Sequence, residues 1–305
     1  MIPLSSPTEA KLPTALALGS FDGLHAGHRK VIKEITNHID GIPTIVSFWP
    51  HPREVLYGEY RLRLDLPVEK LQLLEPLGIK QLVLVPFNND LAAFSAEKFF
   101  YQILLKQLQA RKIAVGENFK FGKNREGDAF TLKRLCAKEK IELSIVPILK
   151  DQLGRMSSSR IREALKEGDI KTTKKLLGRA YNFRGLVTPG KAIGRKIGWP
   201  TANLQVDGRK FLPALGVYAA LARKISDETF LPAVMNLGPQ PTVDPASPSA
   251  VEVHILNEVI DLEGEELIIE PIKRLRGQKK FKSLTELSEQ ISHDANLANS
   301  ILNEL

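Results

Sequence analysis

Short apolar runs alternate with stretches of helical periodicity over the first half of the chain. Ala15–Leu18, Thr44–Phe48, Gln81–Val85, Lys112–Val115 and Glu142–Val146 read as buried strands. Between them, Val31, Ile32, Ile35 and Ile39 recur at helical spacing after His28. Ser95–Ala110 offers a serine N-cap and sets Phe99, Ile103, Leu104 and Leu108 on one face, and Asp128–Lys140 reads as a helix in the same way. This alternation predicts a parallel α/β sheet, whose ligands collect beyond the carboxyl ends of the strands.

The texture changes near residue 180. A basic helical segment from Arg160 to Leu177 gives way to short β-rich runs, Arg184–Val187, Val217–Ala222, Val251–Leu256 and Glu266–Ile269, parted by Gly, Pro, Asn and Asp. That pattern predicts a compact antiparallel barrel. Leu284, Leu287, Ile291 and Leu297 predict a closing helix over Ser283–Leu305, and Pro239–Pro248 reads as a mobile loop. The expected fold is α/β plus β, with domains at 1–180 and 181–305.

A chain of 305 residues can bury two such cores. The formal charge of +8 favours an anionic ligand, while the lack of a dense Lys/Arg tract points to a small phosphate compound rather than nucleic acid. A single cysteine, Cys136, excludes an intramolecular disulfide and suits a reducing cytosol. With no apolar run of membrane-spanning length, the expectation is a cytoplasmic protein without a membrane partner.

Candidate chemistry begins at Gly19-Ser20-Phe21-Asp22-Gly23-Leu24-His25-Ala26-Gly27-His28, between the first strand and the first helix. The free N–H groups and positive dipole end of a helix favour a phosphate there, and glycines let backbone approach it. His25 and His28, three residues apart, would share a face and donate hydrogen bonds to phosphoryl oxygens. The Val115–Gly122 loop, with Asn118 beside Phe119, reads equally as a ring-holding loop or an ordinary anchored one. Ser157, Ser158 and Ser159 open the basic segment, where Arg160 and Arg162 could neutralise a triphosphate. His51, between Pro50 and Pro52, reads as a rigid loop residue. In the second half, Gly190, Gly194 and Gly198 surround Lys191 and Arg195 ahead of a Pro200-Thr201-Ala202-Asn203 turn. Backbone N–H groups of that loop could face phosphate, and Thr201 and Asn203 offer the hard oxygens that Mg²⁺ accepts. Glu252 and His254 alternate with Val251, Val253 and Ile255, so they share the other face of a strand. A glutamate on that face is either solvated or a base for an attacking hydroxyl.

Taken in order, these motifs closely resemble the bacterial bifunctional riboflavin kinase/FMN adenylyltransferases, also called FAD synthetases, over nearly the whole chain. Gly19–His28 resembles the GxFDGxHxGH signature, Val115–Gly122 the VGxxFxFG loop and Ser157–Arg162 the SSTxIR element, with Ser159 where threonine is usual. Arg184–Asn203, Leu212–Ala219, Asn236–Gly238 and Val251–His254 are similar to the flavokinase pattern. The resemblance implies a nucleotidyltransferase-like first domain, a riboflavin-kinase-like second domain, and two reactions that use ATP and Mg²⁺. Riboflavin would be phosphorylated to FMN, and FMN adenylylated to FAD. It implies His25, His28 and Glu252 as catalytic and Gly19, Phe21, Asp22, Gly23, Ser158, Arg160, Arg162, Gly190, Gly194 and Gly198 as ATP or phosphate contacts. Asn118, Phe119 and Arg276 would contact flavin, and Thr201 and Asn203 the metal. Small-molecule substrates would be the partners. Asn88, Asn257 and Glu263 depart from the family pattern. Retention of the adenylyltransferase alone, another HxGH adenylyltransferase, and a non-enzymatic flavin- or RNA-binding regulator are the competing expectations.

Overall fold

The computed structural model describes residues 3–37, 40–189, 198–238, 251–258 and 260–305. The chain divides into two compact units, Met1–Ser158 and Ser159–Leu305.

In the first unit the strands are β1 (Thr14–Leu18), β2 (Ile42–Trp49), β3 (Gln81–Pro86), β4 (Ala110–Gly116) and β7 (Glu142–Val146), with short hairpins β5–β6 (Lys120–Phe121, Gly127–Asp128) and β8–β9 (Lys150–Asp151, Gly154–Arg155). The five longer strands form one parallel sheet in the order β3-β2-β1-β4-β7. Every residue of β1 is buried, as its continuous apolar run requires of a central strand. Helix α1 (Ala26–Thr36) lays Val31, Ile32 and Ile35 on one sheet face, against Ala15, Ala17 and Ile45. The other face carries Leu16, Leu18 and Val46, packed with Phe99, Phe100, Leu104, Leu132 and Leu135. The chain passes from β3 across to β4, so the strand order reverses at β1 and β4. Ligands of open α/β sheets bind beyond the carboxyl ends of the strands at such a reversal, and the loops after those two strands are the glycine-histidine segment and the Val115–Gly122 loop.

The remaining helices of this unit are α2 (Pro52–Tyr57), α3 (Pro67–Leu74), α4 (Asn89–Ala92), α5 (Ala96–Phe99) and α6 (Ala129–Lys138). Ser95 caps α5 as its sequence predicts, but the helix continues as a π stretch over Phe100–Gln107 and stops short of Ala110. Gln109 turns at φ 43° and Ala110 is taken into the sheet opposite Thr14, so strand pairing overrides helical periodicity there.

The basic segment is helical as its sequence predicts and forms two helices, α7 (Ser158–Glu167) and α8 (Ile170–Leu177). Gly168 breaks the run at φ 77°, and Asp169 caps the new helix by accepting from the Thr172 amide. Strands β10 (Phe183–Thr188), β11 (Ala202–Val206), β12 (Gly216–Lys224), β13 (Leu231–Leu237), β14 (Val251–Ile255) and β15 (Glu266–Arg276) close into an antiparallel barrel. Its order is β10-β11-β14-β13-β12-β15, closed by pairing of β10 with β15. Two of these strands escaped the sequence reading. Asn203 in β11 and Pro232 and Asn236 in β13 interrupt their apolar patterns. The expected Pro200–Asn203 turn instead feeds directly into β11, because Ala202 and Asn203 pair with Val253 and Glu252. Helix α9 (Leu284–Leu302), capped by Ser283, buries Ala295 and Ala298 against Ala219 and Leu256.

Candidate active sites

After β1 the chain makes a sharp, tightly held loop. Gly19 still donates to the Val46 carbonyl at 3.2 Å, and then Phe21, Gly23 and Leu24 take φ values of 45°, 89° and 41°. Such angles are costly for side-chain-bearing residues, and full burial of Phe21 and Leu24 holds them in place. Asp22 is also buried. Its Oδ1 accepts from the amides of Leu64 at 2.9 Å and Asp65 at 3.3 Å, and its carbonyl accepts from Ser158 Oγ at 2.7 Å. A carboxylate fixed inward in this way sets the shape of the loop.

His25 is the N-cap of α1, its Nδ1 accepting from the His28 amide at 3.4 Å. An accepting Nδ1 leaves the proton of the neutral ring on Nε2, free to donate. The His28 ring stacks on it with centroids 3.7 Å apart and planes 19° apart, and meets the edge of Phe21 at 5.3 Å. Burial pushes the His25 pKa down to about 4; the cations Arg155 and Arg29 add to this and Asp22 opposes it. Burial lowers His28 well below the usual imidazole range, helped by His25, Lys70 and Arg155. Two neutral imidazoles therefore stand at a helix N-terminus with three cationic side chains within electrostatic reach. That arrangement suits a polyanion and can stabilise charge as it grows on phosphorus. Arg155 and Lys70 escaped the sequence reading. Arg155 lies on a two-residue strand and Lys70 on a helix whose buried face a lysine does not announce.

On the neighbouring strand, the amide of Phe119 donates to the Gly116 carbonyl at 2.9 Å, turning the loop so that Asn118 is exposed. Phe119 stacks on Phe121 at 5.5 Å. Two of the predicted motifs thus meet at one sheet edge, the Gly19–His28 loop after β1 and the Asn118–Phe119 loop after β4. His51 caps α2, accepting from the Arg53 amide at 3.1 Å while Glu54 accepts from its own amide at 2.8 Å, and burial lowers its pKa to about 4. Asn88 caps α4, a task aspartate performs equally well. Arg160 and Arg162 lie half-buried on α7, the Arg162 guanidinium 5.7 Å from the Phe211 ring centre.

On the barrel, Asn203 of β11, Glu252 of β14 and Asn236 of β13 stand opposite one another across three strands. Val251, Val253 and Ile255 are buried while Glu252 and His254 are only partly so, which is the alternation read from sequence. Gln278 donates to Asn236 Oδ1 at 2.9 Å and to the Leu237 carbonyl at 2.7 Å, and Asn236 Nδ2 donates to Glu252 Oε2 at 3.4 Å. His254 Nδ1 lies 2.7 Å from the Pro200 carbonyl, fastening the segment that carries exposed Thr201 to β14. Among the described residues no cluster of three His, Cys, Asp or Glu could hold a metal. The Thr201 hydroxyl and Asn203 carboxamide are hard donors two residues apart, which fits an Mg²⁺ whose shell a nucleotide completes. Gly198 turns at φ 83° with open space around it. Gly190 and Gly194, with Lys191, Arg195 and the Pro239–Pro248 loop, lie outside the described residues. Arg276 spends its fork on buried Asp294 of α9, with Nη2–Oδ2 at 2.8 Å and Nε–Oδ2 at 3.0 Å. Its Nη1 donates to the Gly277 carbonyl at 3.0 Å, and the guanidinium lies 5.7 Å from the Phe281 ring centre.

Residues 8–160 match the FAD synthetase family and residues 177–302 the riboflavin kinase family. The bifunctional riboflavin kinase/FMN adenylyltransferase of Escherichia coli (strain K12) is 33% identical over 283 residues, 92% of this chain and 90% of that protein. The same-named protein of Bacillus subtilis (strain 168) is 35% identical over 295 residues, 94% of this chain and 92% of its own length. A solved structure from Streptococcus pneumoniae, described as a macrolide-efflux protein, superposes with a TM-score of 0.85 at 29% identity, covering 98% of both chains. Among the described residues no helix is long and apolar enough to cross a membrane.

Proposed function

The chain belongs to the bifunctional riboflavin kinase/FMN adenylyltransferase family, and on that premise we propose how its residues divide the two reactions. The enzyme phosphorylates riboflavin to FMN with one ATP and adenylylates FMN with a second, giving FAD and pyrophosphate. We assign adenylyl transfer to residues 1–180 and phosphorylation to 181–305.

In adenylyl transfer, a phosphate oxygen of FMN attacks the α-phosphorus of ATP, the bond from that phosphorus to the bridging oxygen breaks, and pyrophosphate leaves. His25 and His28 donate hydrogen bonds to the oxygens on which charge grows. Gly19, Phe21, Gly23 and the α1 N-terminus shape the anion site, with Asp22 and Ser158 bracing it; Arg160 and Arg162 steady the triphosphate, and Asn118 and Phe119 take the flavin. Catalysis of this kind rests on positioning and preorganised charge. The stacked, neutral histidine pair at the helix mouth carries the assignment.

In phosphorylation, the ribityl 5′-hydroxyl of riboflavin attacks the γ-phosphorus, its proton passes to Glu252, and ADP leaves. Mg²⁺ bound with ATP would neutralise the phosphate charge, held by Thr201 and Asn203. Gly190, Gly194 and Gly198 would offer backbone N–H groups to phosphate, and the Arg276 plane would border the flavin. Cys136, buried and with its thiol pushed up to about 12, is inert and suits a reducing cytoplasmic setting.

The two by-products separate the assignments. Each FAD made from riboflavin releases one ADP and one pyrophosphate, whereas FMN as substrate releases pyrophosphate only. A variant at Thr201 should slow ADP release from riboflavin and leave pyrophosphate release from supplied FMN unchanged. Slowed pyrophosphate release from supplied FMN would contradict the division.

A further inference from the structure

We propose that Lys70, which lies outside every sequence motif, is a positioning residue for adenylyl transfer, holding the Ser20 carbonyl and so the loop that carries His25 and His28. The inference rests on the assignment of that loop to adenylyl transfer.

Lys70 sits on α3, whose Leu71 and Leu74 join the core, and is itself only 7% exposed. Lysines are almost never buried unless paired, because an unpaired buried ammonium is strongly penalised. Here Nζ donates to the Ser20 carbonyl at 2.8 Å, and Asp22 and Asp65, both buried, support its charge against burial. The two segments are stitched in both directions. Lys70 reaches to Ser20, and Asp22 reaches back to the amides of Leu64 and Asp65. These ties fall on either side of Phe21, the first residue of the loop at positive φ. Strained backbone persists only where its surroundings over-determine it, and the Lys70 segment supplies that determination from below.

The ammonium also lies within electrostatic reach of His28. The charged and titratable groups acting on His28 are His25 on its own turn, Lys70 on α3 and Arg155 on β9, while Arg29, Arg155 and Asp22 act on His25. Removing the Lys70 charge makes His28 easier to protonate, a change that a space-filling role would not produce.

The test uses the full chain carrying Lys70→Met, Lys70→Gln or Lys70→Arg, with FAD formation from FMN followed across pH 5 to 9 and FMN formation from riboflavin measured in the same preparation. Lys70→Met should lower kcat for FAD formation at least tenfold and move its acidic limb to higher pH, leaving FMN formation unchanged. Lys70→Arg should recover most of the rate. Should Lys70→Met fail to fold, Lys70→Gln reads the same limb, since it keeps a donor and loses the charge. An acidic limb and kcat within twofold of wild type in either neutral variant overturns the inference. Wild type that makes no FAD from FMN would instead overturn the functional reading beneath it.

Discussion

The His25 and His28 rings stack with centroids 3.7 Å apart, and the amide of His28 donates to His25 Nδ1. One histidine thus caps the helix while fixing the ring of the other. His25→Asn keeps a good N-cap acceptor but loses the ring and its outward Nε2–H. Thermal stability should hold, while pyrophosphate release from FMN and ATP should fall by about 10²-fold, the usual loss for one preorganised donor. Calorimetry and a pyrophosphate assay on one preparation check both.

Acid should loosen the first unit in a defined window. His25 and His51 have folded pKa values of about 4 against an ordinary 6.5, and burial lowers His28 well below that ordinary value too. The unfolded chain therefore binds protons that the folded chain refuses. Stability is fully present above pH 6.5 and is lost as pH falls through about 4. Thermal midpoints should be flat above pH 7 and fall between 6.5 and 4. His51→Asn, which preserves the α2 cap, should make that fall shallower.

Gly27 leaves room for the first histidine. A Cβ there would lie 3.2 Å from His25 Cε1 and Nδ1, so Gly27→Ala must tilt the ring. Alanine favours the helix by about 1 kcal/mol over glycine, so stability should not drop. FAD formation should slow at least tenfold with FMN formation intact. A stable variant with unchanged FAD formation would show that ring orientation is unimportant.

Much of this was legible in the sequence, for traceable reasons. Continuous apolar runs such as Ala15–Leu18 announce buried parallel strands, and Gly19–His28 announces both its turn and the helix that follows it. Alternation marked β14 and set Glu252 apart from Val251 and Val253. Periodicity could not find β13, where Pro232 and Asn236 break the pattern, or foresee that Ala110 would be drawn into the sheet. Nor could it show that Asp22 turns inward to the Leu64 amide, or that Arg276 is committed to Asp294. Those outcomes depend on partners distant in sequence.

Gln278 reaches Glu252 through Asn236. Gln278→Ala should free the Asn236 carboxamide to rotate and slow FMN formation about fivefold, the worth of roughly 1 kcal/mol for a neutral hydrogen bond. Conversion of supplied FMN to FAD should be unaffected. Steady-state rates with each flavin substrate check this.

The division of chemistry between His28 and Glu252 is tested most directly by chromatographic separation of riboflavin, FMN and FAD after incubation with Mg²⁺ and ATP. His28→Ala should accumulate FMN from riboflavin and make almost no FAD. Glu252→Ala should make no FMN from riboflavin yet convert supplied FMN to FAD at the wild-type rate. Loss of both conversions in either well-folded variant would contradict the account.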